Sequence, residues 1–195
     1  MQNPTPVQLS EHTPAQRRAL LDVARASIRH GLDHGAPLRD FPTATDPMLR
    51  LPRASFVTLH RASRLRGCIG ELEARRPLIE SVAHNAWAAA FRDPRFPALR
   101  EDEFETLDIH VSVLSPPVAI GADSEPELLA TLQPGVDGVL LRQGHHSSTF
   151  LPQVWEQLPE PADFLRHLRR KAGLPDPYDA SATYLRYGVE AFGED

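Results

Sequence analysis

The amino-acid sequence predicts an α+β domain in which helices flank an antiparallel or mixed sheet. Apolar residues at helical spacing alternate irregularly with short runs of strand formers, which favours this class over a parallel doubly wound sheet. The sequence contains no internal repeat, heptad run or low-complexity tract. Its 195 residues suffice for one domain with a substantial core, with or without a small subdomain.

The predicted domain spans residues 13–195 and follows a polar, proline-bearing segment, residues 1–12, that we interpret as a flexible N-terminal arm. The arm lacks a basic region followed by an apolar run, and no stretch of about 18 apolar residues occurs in the chain. The single cysteine, Cys68, excludes an intramolecular disulfide and paired thiol ligands. We therefore expect a cytoplasmic protein that does not span a membrane.

The first helix has clear start and stop signals. Thr13 offers an N-cap hydroxyl, Pro14 suits the first helical position, and Gln16 completes a capping-box pattern. Apolar residues then continue at helical spacing as far as Leu32, and Gly35 supplies a stop. This pattern predicts a helix that faces the core.

A β-hairpin is predicted next. Residues 54–60 are rich in strand formers, residues 61–64 can turn the chain, and residues 65–72 return as a partner strand. A hairpin loop with an even number of residues would place Cys68 opposite Val57.

The later elements are predicted from apolar spacing and from proline and glycine stops. They are a helix from Pro77 to the stop at Asp93-Pro94, a strand at 107–114, a short helix at 125–132, extended segments at 136–143 and 149–154 around a polar turn at 144–148, a helix at 162–172 and a closing strand at 183–192.

The charge balance argues against bulk attraction to nucleic acid. The chain has 21 basic and 26 acidic residues and a net charge of -5. An RNA-binding module would need a basic patch with stacking aromatic residues. Arginines supply local charge, but the sequence around them lacks aromatic residues, so we rank this function last. These arginines are at positions 61, 64, 66, 75 and 76.

The most informative segment is Leu65-Arg66-Gly67-Cys68-Ile69-Gly70, which we call the LRGCIG segment. Two glycines inside a predicted strand are unusual, because glycine costs conformational entropy there and packs nothing. Their presence beside the one thiol indicates that something approaches the backbone closely, or that the strand contains a bulge.

Strand alternation predicts that Arg66, Cys68 and Gly70 share one face. A guanidinium beside Cys68 would favour the thiolate, which is the reactive form, so one interpretation is a low-pKa nucleophile in an electropositive notch. The alternative is a buried cysteine that packs as a small hydrophobic residue.

A cysteine nucleophile usually needs a base, and His60, His84 and His110 lie on predicted elements and are candidates. His145 and His146 lie in a predicted turn and lack a third ligand at a fixed spacing, so we predict no metal site there. The sequence has no glycine-rich dinucleotide fingerprint, phosphate loop or cysteine trio, and we expect no cofactor.

Three further polar residues receive structural interpretations. Asp137 lies between Gly135 and Gly138 and is interpreted as a turn residue. Asp93 and Arg95 flank Pro94 and are predicted to form a local ion pair that fixes the chain after the second helix.

The LRGCIG segment and six other segments in the same order resemble the AMMECR domain family, whose bacterial and archaeal members are called AmmeMemoRadiSam system protein A. The other segments are Phe56-Val57-Thr58-Leu59, Asp93-Pro94-Arg95-Phe96-Pro97, Val111-Ser112-Val113-Leu114-Ser115-Pro116-Pro117, Gly135-Val136-Asp137-Gly138-Val139, Phe150-Leu151-Pro152-Gln153-Val154 and Lys171-Ala172-Gly173-Leu174-Pro175. One position departs from the family pattern, because His110 stands where an acidic residue is expected.

The resemblance implies an α+β fold with a larger and a smaller subdomain, in a family without an established biochemical activity. It also implies a multi-protein modification pathway with a Memo-like protein and a radical-SAM enzyme as partners. We expect the LRGCIG surface to bind a substrate or partner; the alternative is an enzyme that uses Cys68 as its nucleophile. The candidate binding residues are Arg66, Gly67, Gly70, His60 and His110.

Overall fold

The computed structural model describes residues 12–41 and 46–194, so the arm predicted at residues 1–12 lies almost entirely outside the described residues. The described residues form two compact units, as the resemblance implies. The smaller unit is Ser115–Val189, and the larger unit comprises the described residues on either side of it. No helix within the described ranges has the length and apolar character needed to cross a bilayer.

The described helices and strands confirm an α+β fold with two four-stranded sheets. In chain order they are α1 (Pro14–His34), β1 (Ser55–Arg61), β2 (Arg64–Gly70), α2 (Leu78–Phe91), β3 (Leu107–Leu114), β4 (Val118–Ala119), α3 (Glu125–Thr131), β5 (Gly138–Gln143), β6 (His146–Phe150), α4 (Pro161–Lys171), β7 (Thr183–Tyr187) and β8 (Val189–Gly193), with short 3₁₀-helices at Pro47–Arg50, Glu101–Thr106 and Pro152–Glu156.

The capping signals of α1 are confirmed. The Thr13 hydroxyl accepts a hydrogen bond from the backbone N–H of Gln16, and the Gln16 side chain accepts one from the N–H of Thr13. Gly35 ends the helix at φ 72°, a left-handed conformation that glycine adopts without steric cost. Local chemistry therefore determines both ends of this helix.

The sheet of the larger unit has the strand order β2–β1–β3–β8, and its buried face packs against α1 and α2. Residues alternate along β1 and β3 between fully buried and half-buried positions. Val57, Leu59, Ile109 and Val111 form the buried set and contribute to the core. The opposite face of these strands carries the half-buried side chains.

The β1–β2 hairpin turns through Ala62 and Ser63, whose φ values of 49° and 60° match the type I′ geometry of two-residue hairpins. The loop therefore has the predicted even length. The register nevertheless shifts, because Leu59 pairs with Gly67 while His60 pairs with Leu65. Arg66 is thus the extra residue of a β-bulge.

The bulge corrects the predicted partner of Cys68. The residue opposite Cys68 is Thr58, and the prediction of Val57 is wrong. An unbulged hairpin with this turn would have paired Cys68 with Val57, so the one extra residue accounts for the whole difference.

The smaller unit contains the sheet β4–β7–β5–β6, with α3, α4 and its own apolar core. Trp155 lies in this core and stacks on Phe164 with ring centroids 3.8 Å apart. The extended segment predicted at 149–154 is wrong in part. Strand β6 ends at Phe150, and Pro152, which lacks a backbone N–H, begins a 3₁₀-helix.

The closing strand predicted at 183–192 is two strands in two sheets. β7 pairs with β4 and β5, whereas β8 belongs to the sheet of the larger unit. Between them, the two backbone groups of Gly188 bond to Ser115, which interrupts the ladder.

Candidate functional site

The LRGCIG segment forms most of β2, which is an edge strand of the larger unit's sheet. An edge strand presents backbone groups that can pair with another chain. At Cys68 these groups are already engaged. The backbone N–H of Cys68 donates to Asp93 Oδ2 at 2.8 Å, and Arg95 donates to the Cys68 carbonyl at 3.2 Å. The loop after α2 therefore caps the sheet edge with side chains.

The ion pair predicted between Asp93 and Arg95 is confirmed. The Arg95 guanidinium donates to both carboxylate oxygens of Asp93, at 2.9 and 2.7 Å. These bonds hold the pKa of the buried Asp93 carboxyl well below its usual range, and burial opposes them only in part. Asp93 raises the pKa of Arg95 in turn. Both side chains of this cap, Asp93 and Arg95, are thus charged at neutral pH.

The Cys68 thiol lies on the half-buried face of the sheet, and the Thr58 hydroxyl donates to its sulfur at 3.2 Å. Thr58 pairs with Cys68 on one side and with His110 of β3 on the other. Three strands thus bring a thiol, a hydroxyl and an imidazole into one row. We call the half-buried side chains of Phe56, Thr58, His60, Cys68 and His110 the cysteine face.

Arg66 does not belong to the cysteine face, and the prediction that it shares a face with Cys68 is wrong. Because Arg66 is the bulged residue, alternation breaks there. Its guanidinium makes two hydrogen bonds, of 2.9 and 3.0 Å, to the carboxylate of Glu103. The two side chains are only 11% and 9% exposed. Arg61 also reaches toward Glu103, at 3.4 Å.

Glu103 is the centre of this buried cluster. The Arg66 guanidinium, with help from the Arg100 backbone N–H, lowers the pKa of Glu103 to about 2, against the opposing effect of burial. Sequence spacing does not reveal the pair, because 37 positions separate its members. The one signal in the sequence was an arginine inside a predicted strand, because a guanidinium that becomes buried needs a charged partner.

The close approach predicted at the glycines exists, and the chain itself makes it. A Cβ atom on Gly67 would lie 2.1 Å from the carbonyl oxygen of Ala89 in α2. A Cβ atom on Gly70 would lie 2.2 Å from the Phe56 ring. Gly67 therefore lets the helix pack against the strand. Binding of a partner at Gly67 or Gly70 stays a prediction.

His60 and His110 are brought together on the cysteine face, with ring centroids 5.1 Å apart. Asp108, which the sequence analysis missed, joins them. It lies directly opposite His60, two residues before His110 on the same face of β3, and its Oδ2 is 3.0 Å from His110 Nε2. One potential donor atom from each of the three lies within 4.8 Å of the others. The Asp-x-His spacing at strand period was the available signal.

The other candidates have structural partners. His84 lies on α2, where burial lowers its pKa. His146 lies in β6 rather than in the predicted turn, and its Nδ1 is 2.8 Å from the Ala172 carbonyl oxygen. Asp137 accepts a hydrogen bond from the Gln133 N–H at 2.9 Å, in agreement with the predicted turn.

These features define a class of protein: a two-unit α+β chain whose one thiol lies on a half-buried sheet face beside a capped edge strand. The chain belongs to the AMMECR1 family, whose model matches residues 21–192. The family resemblance noted in the sequence is therefore confirmed.

Similar proteins come from archaea. A protein of Methanothermobacter thermautotrophicus is 36% identical over 181 residues, which cover 91% of this chain and 94% of that protein. A Saccharolobus solfataricus protein is 36% identical over 96% of this chain and 86% of its own length. The crystal structure of an uncharacterized protein from Pyrococcus horikoshii superposes with a TM-score of 0.78 at 33% identity, covering 90% of each chain.

Proposed function

We propose that this chain is a binding component of a cytoplasmic multi-protein modification pathway and that the cysteine face receives a substrate or partner. The observation that carries the proposal is the difference between the surroundings of the Cys68 backbone and those of its side chain in β2. The backbone edge at Cys68 is occupied by Asp93 and Arg95, whereas the side chain of the same residue lies on the cysteine face and Cys68 is half-buried. A binding partner would therefore meet side chains rather than add a strand.

Residues around the thiol support a binding role. The half-buried face offers an aromatic ring, a hydroxyl, a thiol and two imidazoles, so it combines apolar area with several hydrogen-bonding groups. Arg66, an expected contact, is paired with Glu103, and its part in binding stays a prediction. Recognition on this face would then depend on its hydroxyl, thiol and imidazole groups more than on the Arg66 guanidinium.

The partners we propose are a Memo-like protein and a radical-SAM enzyme. This part of the proposal rests on the family resemblance, since the name AmmeMemoRadiSam, given to the bacterial and archaeal members, records their association with such proteins. A chain with a specific surface and without a nucleotide or cluster motif fits an assisting role in such a pathway.

A second candidate function is nucleophilic catalysis by Cys68. The observation that favours it is the hydrogen bond from Thr58 to the sulfur, because a donor aimed at sulfur stabilises negative charge there. His110, next to Thr58 in the same row, would be the candidate base.

Capture of the two partners by the purified chain tests the proposal. Thr58→Arg places a long cation on the cysteine face and should abolish capture, while Thr131→Arg on α3 is the matched control and should leave capture unchanged. Cys68→Ser should retain capture. The binding proposal is wrong if Thr58→Arg, shown to be folded by circular dichroism, captures both partners normally. Loss of small-molecule turnover by isolated Cys68→Ser would establish the enzyme alternative.

A further inference from the structure

We infer that His60, Asp108 and His110 form a binding site for a divalent transition metal ion. The site lies on the larger unit's sheet, where β1 and β3 pair. The sequence expectation of no metal site rested on the missing third ligand near His145 and His146. At a different place, the pairing of β1 with β3 brings three donor residues together. The inference goes beyond the proposed function and requires neither a partner nor the Cys68 thiol.

The three donor residues occupy neighbouring positions on two paired strands. Asp108 and His110 alternate on one strand and therefore project from the same face, and His60 is the direct cross-strand neighbour of Asp108. Two donors bound to one ion at about 2.1 Å lie about 3.0–3.4 Å apart for octahedral to tetrahedral angles. The separation of 3.0 Å between His110 Nε2 and Asp108 Oδ2 already meets this requirement.

Asp108 Oδ1 is shielded from solvent and has no hydrogen-bond partner among the described residues, although the side chain as a whole is 49% exposed. A shielded carboxylate oxygen without a partner is costly. A cation bound by the Asp108 carboxylate would compensate the charge of this side chain.

The His110 ring packs closely against Gly193 of β8. A Cβ atom on Gly193 of β8 would lie 2.5 Å from His110 Nδ1, so only glycine leaves room for the ring. The backbone thus confines the Nδ1 side of the imidazole while Nε2 points toward Asp108. Metal-ligating histidines need such support, because ring orientation determines where the lone pair is directed.

The donor set indicates the class of metal. Two imidazole nitrogens and one carboxylate oxygen suit zinc, ferrous iron and similar ions, whereas magnesium and calcium prefer oxygen ligands alone. Three protein donors also leave coordination positions open. The His110 side chain is 42% exposed, so water or a small ligand could reach those positions.

Titration of the isolated, chelator-treated chain tests the site. We expect calorimetry to show that one equivalent of Zn²⁺ binds. We also expect one equivalent of Co²⁺ to give a ligand-field absorption spectrum. Asp108→Asn keeps the side-chain shape and should weaken the binding of Zn²⁺ and of Co²⁺ by at least about tenfold. His60→Ala should have the same effect. The matched controls are Asp163→Asn and His167→Ala on α4, which should bind like the natural chain.

Two outcomes would overturn the inference. One is the absence of saturable Zn²⁺ or Co²⁺ binding by the natural chain. The other is unchanged affinity in both folded variants, Asp108→Asn and His60→Ala, which would place the bound metal elsewhere. The partners of the proposed pathway are absent from this titration, so its failure would leave the capture experiment standing, and the converse also holds.

Discussion

At the residue scale, Glu103 is the side chain on which the local structure around β2 most depends. Its carboxylate accepts two hydrogen bonds from the bulged Arg66 and one from the Arg100 backbone N–H. Removing one member of a buried ion pair leaves the other charged and unpaired, which is far more costly than the net contribution of the pair. The bulge therefore requires the Glu103 carboxylate as the partner of the buried Arg66, and the buried carboxylate requires Arg66 in turn.

The first prediction concerns Glu103→Gln, which should lower the free energy of unfolding at pH 7 by about 3 kcal/mol, measured by urea denaturation. The folded-state pKa of about 2 lies below the ordinary value of 4.5. The stabilisation from Glu103 is thus fully present above pH 4.5 and is lost as pH falls through 2. The variant should lack this part of the acid dependence.

Glu105→Gln is the matched control, because Glu105 is an exposed residue on the same 3₁₀-helix. It should change stability by no more than about 0.5 kcal/mol. An equally small effect of Glu103→Gln would contradict the structural role of the buried pair.

At the scale of elements, local signals predicted helices and most strands, whereas distant partners determined the details of the site. Thr13, Gln16 and Gly35 act within their own helix, so its ends were predictable. The bulge at Arg66 depends on Glu103, and the capped edge at Cys68 depends on Asp93, 25 positions away. Such contacts leave no periodic trace in a sequence.

The second prediction concerns the contact between β2 and α2. Gly67→Ala would place a methyl group 2.1 Å from a helix carbonyl oxygen, so one element must move. We expect a loss of about 3 kcal/mol or more in the free energy of unfolding. Gly121→Ala is the control, because nothing lies within 4 Å of its Cβ position and its φ is not positive.

Thermal and urea unfolding of both variants provide the measurement. Near-natural stability of Gly67→Ala, with partner capture lost, would instead support a direct binding role for this glycine. The control should stay within about 1 kcal/mol of the natural chain, on either side.

At the scale of the whole molecule, the two units have separate apolar cores, and each unit contains one of the two tryptophans. Trp87 lies on α2 of the larger unit, and Trp155 lies in the core of the smaller one. The family resemblance predicted two subdomains, but the sequence pattern alone did not, because β7 and β8 read as a single closing strand. The presence of two separate sheets became evident only from the observed pairing of the strands.

The third prediction uses this distribution of tryptophans. Phe164→Ala removes a fully buried ring that stacks on Trp155 and should lower the free energy of unfolding of the smaller unit by about 3–5 kcal/mol. Trp155 fluorescence in a Trp87→Phe background reports the transition. Val136→Ala, at an exposed position of the same unit, should shift it by less than about 0.5 kcal/mol. Similar shifts for the two variants would contradict the assigned core.

The bulge at Arg66 also fixes the parity of everything that follows it in β2. Without the bulge, the same residues in a continuous ladder would pair Cys68 with Val57 and reverse the side-chain directions from Gly67 onward. Cys68 would then point into the core beside α2, while Ile69 would point outward. The exposure of Cys68 therefore depends on how β2 accommodates one extra residue as much as on the choice of cysteine.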